Sequence, residues 1–257
     1  MATRRLCFLF LVCLLSPGLA FAQQATIAAA SDLQFALDAV RTQFSADTGK
    51  QIQVVYGSSG NFYRQIREGA PFQMYMSADE EYVAQLDAAG LTEDAGTLYA
   101  EGRIVLIAPH ASVLKPDAQL QSLREALAAN RIQRFAIANP EHAPYGRRAE
   151  EALRHAELWD ALQGKLVLGE NVSQAAQFAT SGNTQGGIVA YSLALAPNVS
   201  RLGEYVLIPR EWHEPLLQRM VLLKSATQDM RDFYAYLQGP SAREIMRQFG
   251  FELPEAP

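Results

Sequence analysis

Four short stretches of this 257-residue chain put a small or donor-bearing residue where a strand pattern gives way to a helical one. Ser31 follows the apolar residues 25–30. Ser59 follows residues 52–56 through the turn Gly57-Ser58-Ser59-Gly60. Tyr145-Gly146 follows residues 135–138 after a loop that Pro140 and Pro144 stiffen, and Val172-Ser173 follows residues 166–168. The first N–H groups of a helix have no carbonyl partner within it, and the aligned peptide dipoles leave roughly half a positive charge at that end. Such ends bind anions, and a serine hydroxyl beside one can donate a further bond to a charged oxygen. A lone serine before a helix is ordinarily a cap. Four junctions of the same chemistry point further, because in open α/β sheets the carboxyl ends of the strands are where ligands bind. Two such ends from each of two lobes could enclose a compact anion with neutral donors alone.

The elements that must hold these junctions alternate. A short strand ends at Ala30, and Leu33, Leu37, Val40 and Phe44 then recur at helical spacing, with Ser31 as the expected N-cap and Gly49 as the stop. Residues 52–56 read as a buried strand. Phe62 and Ile66 mark the next helix, residues 72–76 a third strand, and residues 80–88 a third helix that Ser77-Ala78-Asp79 would cap. Strand and helix in strict alternation indicate an α/β protein whose parallel sheet is covered by helices. The pattern resumes with strands at 103–108, 135–138, 166–168, 187–190 and 216–223 and helices at 122–129, 147–155, 174–180, 230–237 and 242–249. No internal repeat is visible. The expected division is a leader over 1–22, a first lobe of 23–102 plus 223–257, and a second lobe of 103–222.

Arg4 and Arg5, the apolar run 6–15 and the A-x-A triplet 20–22 form a secretory signal, with cleavage expected after Ala22. The run is too short to span a bilayer, and no later segment is long and apolar enough to insert in one. A lipid anchor at Cys13 fits poorly, because Val12 precedes it and Cys13 lies within the apolar run. Cleavage removes Cys7 and Cys13, the two cysteines of the chain, so neither disulfides nor thiolate chemistry is expected. The chain carries 22 Lys and Arg against 27 Asp and Glu, a net charge of −5. Loss of Arg4 and Arg5 makes it more negative still. That charge, with no basic run, argues against nucleic acid as a partner. An anionic ligand would have to be held by local donors, not drawn in by the long-range field.

The junctions also carry a resemblance. Ala28-Ala29-Ala30-Ser31-Asp32-Leu33, Gly57-Ser58-Ser59-Gly60-Asn61, Gly69-Ala70-Pro71, Ser77-Ala78-Asp79, Asn139-Pro140-Glu141-His142-Ala143-Pro144-Tyr145-Gly146, Glu170-Asn171-Val172 and Gly187-Ile188-Val189-Ala190 resemble, in order and spacing, the periplasmic molybdate-binding proteins of ABC importers. The resemblance covers essentially the whole mature chain. It implies a two-lobe periplasmic-binding-protein fold of type II, each lobe a mixed, mainly parallel sheet flanked by helices, with the ligand in the cleft between them. It further implies molybdate or tungstate as ligand rather than cofactor, held by hydroxyl and backbone N–H groups of Ser31 and Ser59 and backbone N–H groups of Tyr145 and Val172. Molybdenum would enter only as the bound oxyanion, and a membrane permease would be the protein partner of an otherwise monomeric chain. Some relatives place a tyrosine hydroxyl on the anion. Here Ala190 holds the aligned position and Tyr191 stands one residue late, which in a strand turns the side chain to the other face. Tyr191 is therefore a weaker candidate, as is Asp32, which could offer its N–H but whose carboxylate would have to face solvent.

Two other classes remain open at this point. A sulfate receptor on the same fold would differ only in cavity size, since sulfate shares molybdate's shape and charge. A serine hydrolase would need a base within reach of its nucleophile, yet Gly57-Ser58-Ser59-Gly60-Asn61 is not a G-x-S-x-G elbow, and His110, His142, His155 and His213 are scattered. For His142, in the Tyr145 loop, a structural role or one behind the ligand is expected.

Overall fold

The computed structural model describes residues 25–255; the expected leader, its cleavage point and both cysteines lie outside the described residues. The chain runs β1 (Thr26–Ala30), a 3-10 turn (Ser31–Leu33), α1 (Gln34–Thr48), β2 (Gln53–Gly57), α2 (Ser59–Arg67), β3 (Met74–Ser77), α3 (Glu80–Ala88) and β4 (Thr97–Gly102). It continues with β5 (Ile104–Pro109), α4 (Gln121–Ala128), β6 (Phe135–Ala138), α5 (Pro144–His155), α6 (Trp159–Leu162), β7 (Leu166–Gly169), α7 (Val172–Thr180), β8 (Gly187–Ala190), α8 (Tyr191–Ala194), α9 (Pro197–Ser200) and β9 (Gly203–Leu207). The last elements are β10 (Leu216–Leu222), α10 (Gln228–Leu237) and α11 (Pro240–Gln248).

Among the described residues, ten strands form two five-stranded sheets, ordered β2-β1-β3-β10-β4 and β7-β6-β8-β5-β9. In the first, β2, β1 and β3 are parallel and β10 runs antiparallel to both β3 and β4. In the second, β7, β6 and β8 are parallel and β5 runs antiparallel to β8 and β9. Each lobe is thus a mixed sheet with the same plan, although the two share no visible sequence repeat.

Alternation along the strands builds the first lobe in layers. Ile27, Ala29, Met74, Met76, Met220 and Leu222 face one side, where Leu37, Phe44, Phe233 and Met246 of α1, α10 and α11 cover them. Ala28, Tyr75 and Val221 face the other, beneath Phe62 and Ile66 of α2 and Val83 and Leu86 of α3. The second lobe buries β5, β6 and β8 under Leu123, Ala149, Leu153, Ala175 and Ala179.

The structure departs from the expectations at several points. β2 is an edge strand, not a buried one: it pairs on one side only, and Val55 is 45% exposed. Two strands, β4 and β9, lie outside the expected pattern; both are outer strands whose antiparallel partners, β10 and β5, are remote in sequence. Helix α5 starts at Pro144 rather than Arg147, because proline loses nothing at a position whose N–H has no helical partner. Strand β10 pairs with β3 and β4 (Met220 opposite Met76, Leu216 opposite Gly102). Residues 216–222 therefore belong to the first sheet, and the chain returns to the first lobe before Leu216, not at 223. The two crossings are tied together where Arg103 donates to the Ile208 carbonyl at 3.1 Å and pairs with Glu252, which Arg210 also contacts.

Candidate functional site

Within the parallel blocks, β1 and β6 are the inner strands and β2 and β7 the edges. Their carboxyl ends lead into the Ser31 turn, α5, α2 and α7 respectively, so the shared plan of the two sheets brings four junctions to one cleft. A small hollow of about 10 Å³ lies between them. The first lobe lines it with Ser31, Asp32, Ser58, Ser59 and Ala78, and the second with Ala143, Pro144, Tyr145 and Val172. Pockets for drug-sized ligands span roughly 300–1,000 Å³, so this one is far too small for them and suits only a compact ligand. Ser31, Ser59, Tyr145 and Val172 thus all meet at one hollow. Tyr191 is not among the lining residues: it opens α8, its N–H donates to the Arg103 carbonyl at 2.9 Å, and its ring lies 6.0 Å from that of Tyr205.

Neither Ser31 nor Ser59 is an N-cap. Ala30 precedes the 3-10 turn, and Ser58, in extended conformation, caps α2, so each serine is the first residue of its turn. Their hydroxyls are arranged alike. Ser31 Oγ accepts the Ser173 N–H at 3.2 Å, and Ser59 Oγ accepts the Ala78 N–H at 3.0 Å. A hydroxyl has one proton and two lone pairs; with a lone pair engaged by an amide, the proton is left to donate. Val172 is the first residue of α7, whose cap Asn171 accepts from Gln174 N at 3.0 Å. That cap serves the third amide of the helix, and the Val172 N–H lies in the first turn without a carbonyl of its own helix. Tyr145, the second residue of α5, is placed likewise. The lining holds no Lys, Arg or His, and the described residues include no cluster of His, Cys, Asp or Glu suited to a metal ion.

Asp32 overturns the expectation of a solvent-facing acid. It is 1% exposed. Its Oδ2 accepts the Gln218 amide at 2.7 Å and the Tyr145 hydroxyl at 2.9 Å, and its carbonyl accepts the Ser192 hydroxyl at 2.8 Å. Burial pushes the carboxyl up to about 6, against the opposing pull of the Gln218 and Tyr145 bonds. The turn that presents Ser31 to the cavity carries Asp32 inward with it, where polar partners from both lobes receive it. Gln218 is a site residue that sequence reasoning missed. Its signal was available: one amide within the apolar run Leu216-Leu217-Gln218-Arg219-Met220-Val221-Leu222, fully buried, where an unpaired polar group would be costly.

His142 lies where the sequence analysis expects it, behind the lining. Its Nδ1 lies 3.0 Å from Ser58 Oγ, its carbonyl accepts the Gly60 N–H at 2.9 Å, and its Nε2 lies 3.6 Å from Glu170 Oε2. The scattered histidines of the sequence therefore do include one beside a serine of the turn, and sequence separation concealed it. Asn61 donates across the cleft to Glu170. Asp79 does cap α3, accepting from Glu81 N at 3.0 Å.

Comparison with known proteins gives a consistent result. A family described as bacterial extracellular solute-binding protein matches residues 25–252. The chain is 32% identical over 238 residues to the molybdate-binding protein ModA of Azotobacter vinelandii, covering 90% of this chain and 91% of that one. Among solved structures it resembles the Azotobacter vinelandii periplasmic molybdate-binding protein with a TM-score of 0.82 at 30% identity, covering 90% of this chain and 100% of the other. The sulfate-binding protein SubI of Mycobacterium tuberculosis shares the fold, with a TM-score of 0.73 at 16% identity over 90% of this chain and 87% of its own.

Proposed function

Because the chain belongs to the bacterial extracellular solute-binding protein family, we propose that it captures molybdate, and tungstate with it, between its lobes and delivers it to the permease of an ABC importer. The observation that carries this reading is the convergence of Ser31, Ser59, Tyr145 and Val172 on one small hollow without a cationic side chain. Amide N–H groups from both lobes and the two serine protons meet the oxygens of a tetrahedral dianion, whose charge is dispersed over fixed dipoles. The anion bonds both half-sites only when the lobes are together, so the closed form gains an affinity that the open form lacks. The names of the relatives favour molybdate over sulfate.

The reaction is binding without chemistry. Ser58, His142 and Glu170 have the order of a nucleophile, base and acid, but the hollow beside Ser58 has no space for an acyl substrate. In this reading the mature chain acts in the periplasm as a monomer, after removal of its leader.

Calorimetry of the mature chain with molybdate, tungstate, sulfate and phosphate tests it. Tight binding of the first two and weak binding of the others is the expected result. Equal affinity for sulfate and molybdate would remove the specificity, and no binding to any of the four would remove the function.

A further inference from the structure

One set of interlobe contacts centres on a residue that does not itself line the hollow. His142 belongs to the second lobe and is 7% exposed, yet it is absent from the lining. It reaches the first lobe twice, through its ring to Ser58 Oγ at 3.0 Å and through its carbonyl to Gly60 N at 2.9 Å. Its Nε2 rests near Glu170 at 3.6 Å, and Glu170 in turn accepts from Asn61 of α2. One helix start of the first lobe is thus gripped by one loop and one turn of the second. Ser58 is the residue before Ser59, so the same grip sets the direction in which the Ser59 donors point.

We propose that His142 is a positioning residue that latches the closed form and holds the Ser59 turn in register, without touching the anion. The inference rests on the anion-capture reading above. Ser58 and Gly60 lie on the other lobe, so its bonds to them exist only when the cleft is shut. They raise the population of the closed form by the same factor for every anion, and the apparent affinity scales with that population. Losing them shortens the lifetime of the complex, since release requires the lobes to part. A residue that bonded the anion would instead alter the preference between anions of different size.

The test compares wild type, His142→Ala and His142→Asn, the last restoring a polar atom near the Nδ1 position. Affinities for molybdate and tungstate come from calorimetry, and association and release rates from stopped-flow displacement. The latch requires that His142→Ala weaken both anions by a common factor, roughly five- to thirty-fold, carried almost wholly by faster release. His142→Asn should recover most of the loss, and thermal unfolding of the ligand-free proteins should stay alike. A release rate equal to wild type overturns the latch. So does a changed molybdate-to-tungstate ratio, which would mean direct contact, and so does a loss that tracks a lowered melting temperature and is not recovered by asparagine. If wild type binds neither anion, the capture reading fails and the latch with it; if wild type binds and His142→Ala binds equally well, only the latch fails.

Discussion

The Tyr145 hydroxyl of the second lobe donates to the Asp32 carboxylate of the first at 2.9 Å, behind the hollow that both residues line. Gln218 of β10 completes the arrangement: its amide nitrogen serves Asp32 at 2.7 Å, and its oxygen accepts the Tyr99 hydroxyl at 2.7 Å. A buried acid therefore sits at a place where the two lobes and the returning strand meet. Gly102 is needed there for close approach, since a Cβ on it would lie 2.2 Å from the Tyr145 hydroxyl oxygen.

Stability should fall as this acid ionises. Asp32 has its carboxyl raised from 3.8 to about 6 by burial, so the folded state binds the proton more tightly than the unfolded chain does. Its contribution is fully present below about pH 4 and is lost as pH rises through about 6, by roughly 3 kcal/mol. Asp32→Asn keeps an acceptor for Tyr145 and Gln218 and removes the titration. Urea unfolding of both proteins from about pH 4 to about pH 7.5 should show the wild type losing stability relative to the variant across that window, and parallel curves would refute the assignment. A dianion in the hollow should raise the carboxyl further, so anion binding near neutral pH should take up protons in wild type and not in Asp32→Asn. Calorimetry in buffers of different ionisation enthalpy reads that uptake.

Ser31→Ala and Ser59→Ala should each weaken molybdate binding by about 1.5–3 kcal/mol, the range for a hydrogen bond to a charged group. Each also strips an amide of its acceptor, Ser173 N in one case and Ala78 N in the other. A thermal melt of the ligand-free variants separates that cost from the loss of affinity. Unchanged affinity in both would return the two serines to local structure alone.

Gly60→Ala should oppose closure. A Cβ at this position would stand 2.6 Å from the His142 carbonyl oxygen, a backbone atom of the other lobe. Small-angle scattering with saturating molybdate should show a less compact particle than wild type, with affinity reduced at least tenfold, about 1.4 kcal/mol or more. A variant that closes and binds normally would mean that the lobes can meet without this approach.

Phe44→Ala tests whether the first lobe is held by its α1–α10 packing. Phe44 is 1% exposed and meets Phe233 and Tyr236 edge-on, with ring centroids 5.0 and 5.2 Å away. Truncation should cost about 3–5 kcal/mol, read as a lower urea midpoint with an unchanged slope. A loss below about 1 kcal/mol would show that the neighbouring rings close the void.

Much of this protein was legible in its residues. Hydrophobic spacing and Gly, Pro and Ser punctuation are local, so α3, β6 and β8 begin and end where the pattern places them. The four junctions could be found because strand-to-helix turns need small residues and free amides whatever surrounds them. What depended on partners distant in sequence could not be found that way. An apolar run has no mark of whether one or both edges will be paired, so nothing local to β2 shows it to be an edge strand, and nothing local to β10 shows which lobe it joins. Asp32 looked like an ordinary first-turn acid because its reasons for being buried, Tyr145 and Gln218, lie 113 and 186 residues away. His142 meets Ser58 from 84 residues away, a contact that no local pattern announces. The sequence determined the residues that each junction presents; the approach of the two lobes decided which of them share a cavity, because that distance belongs to packing between sheets and to no local pattern.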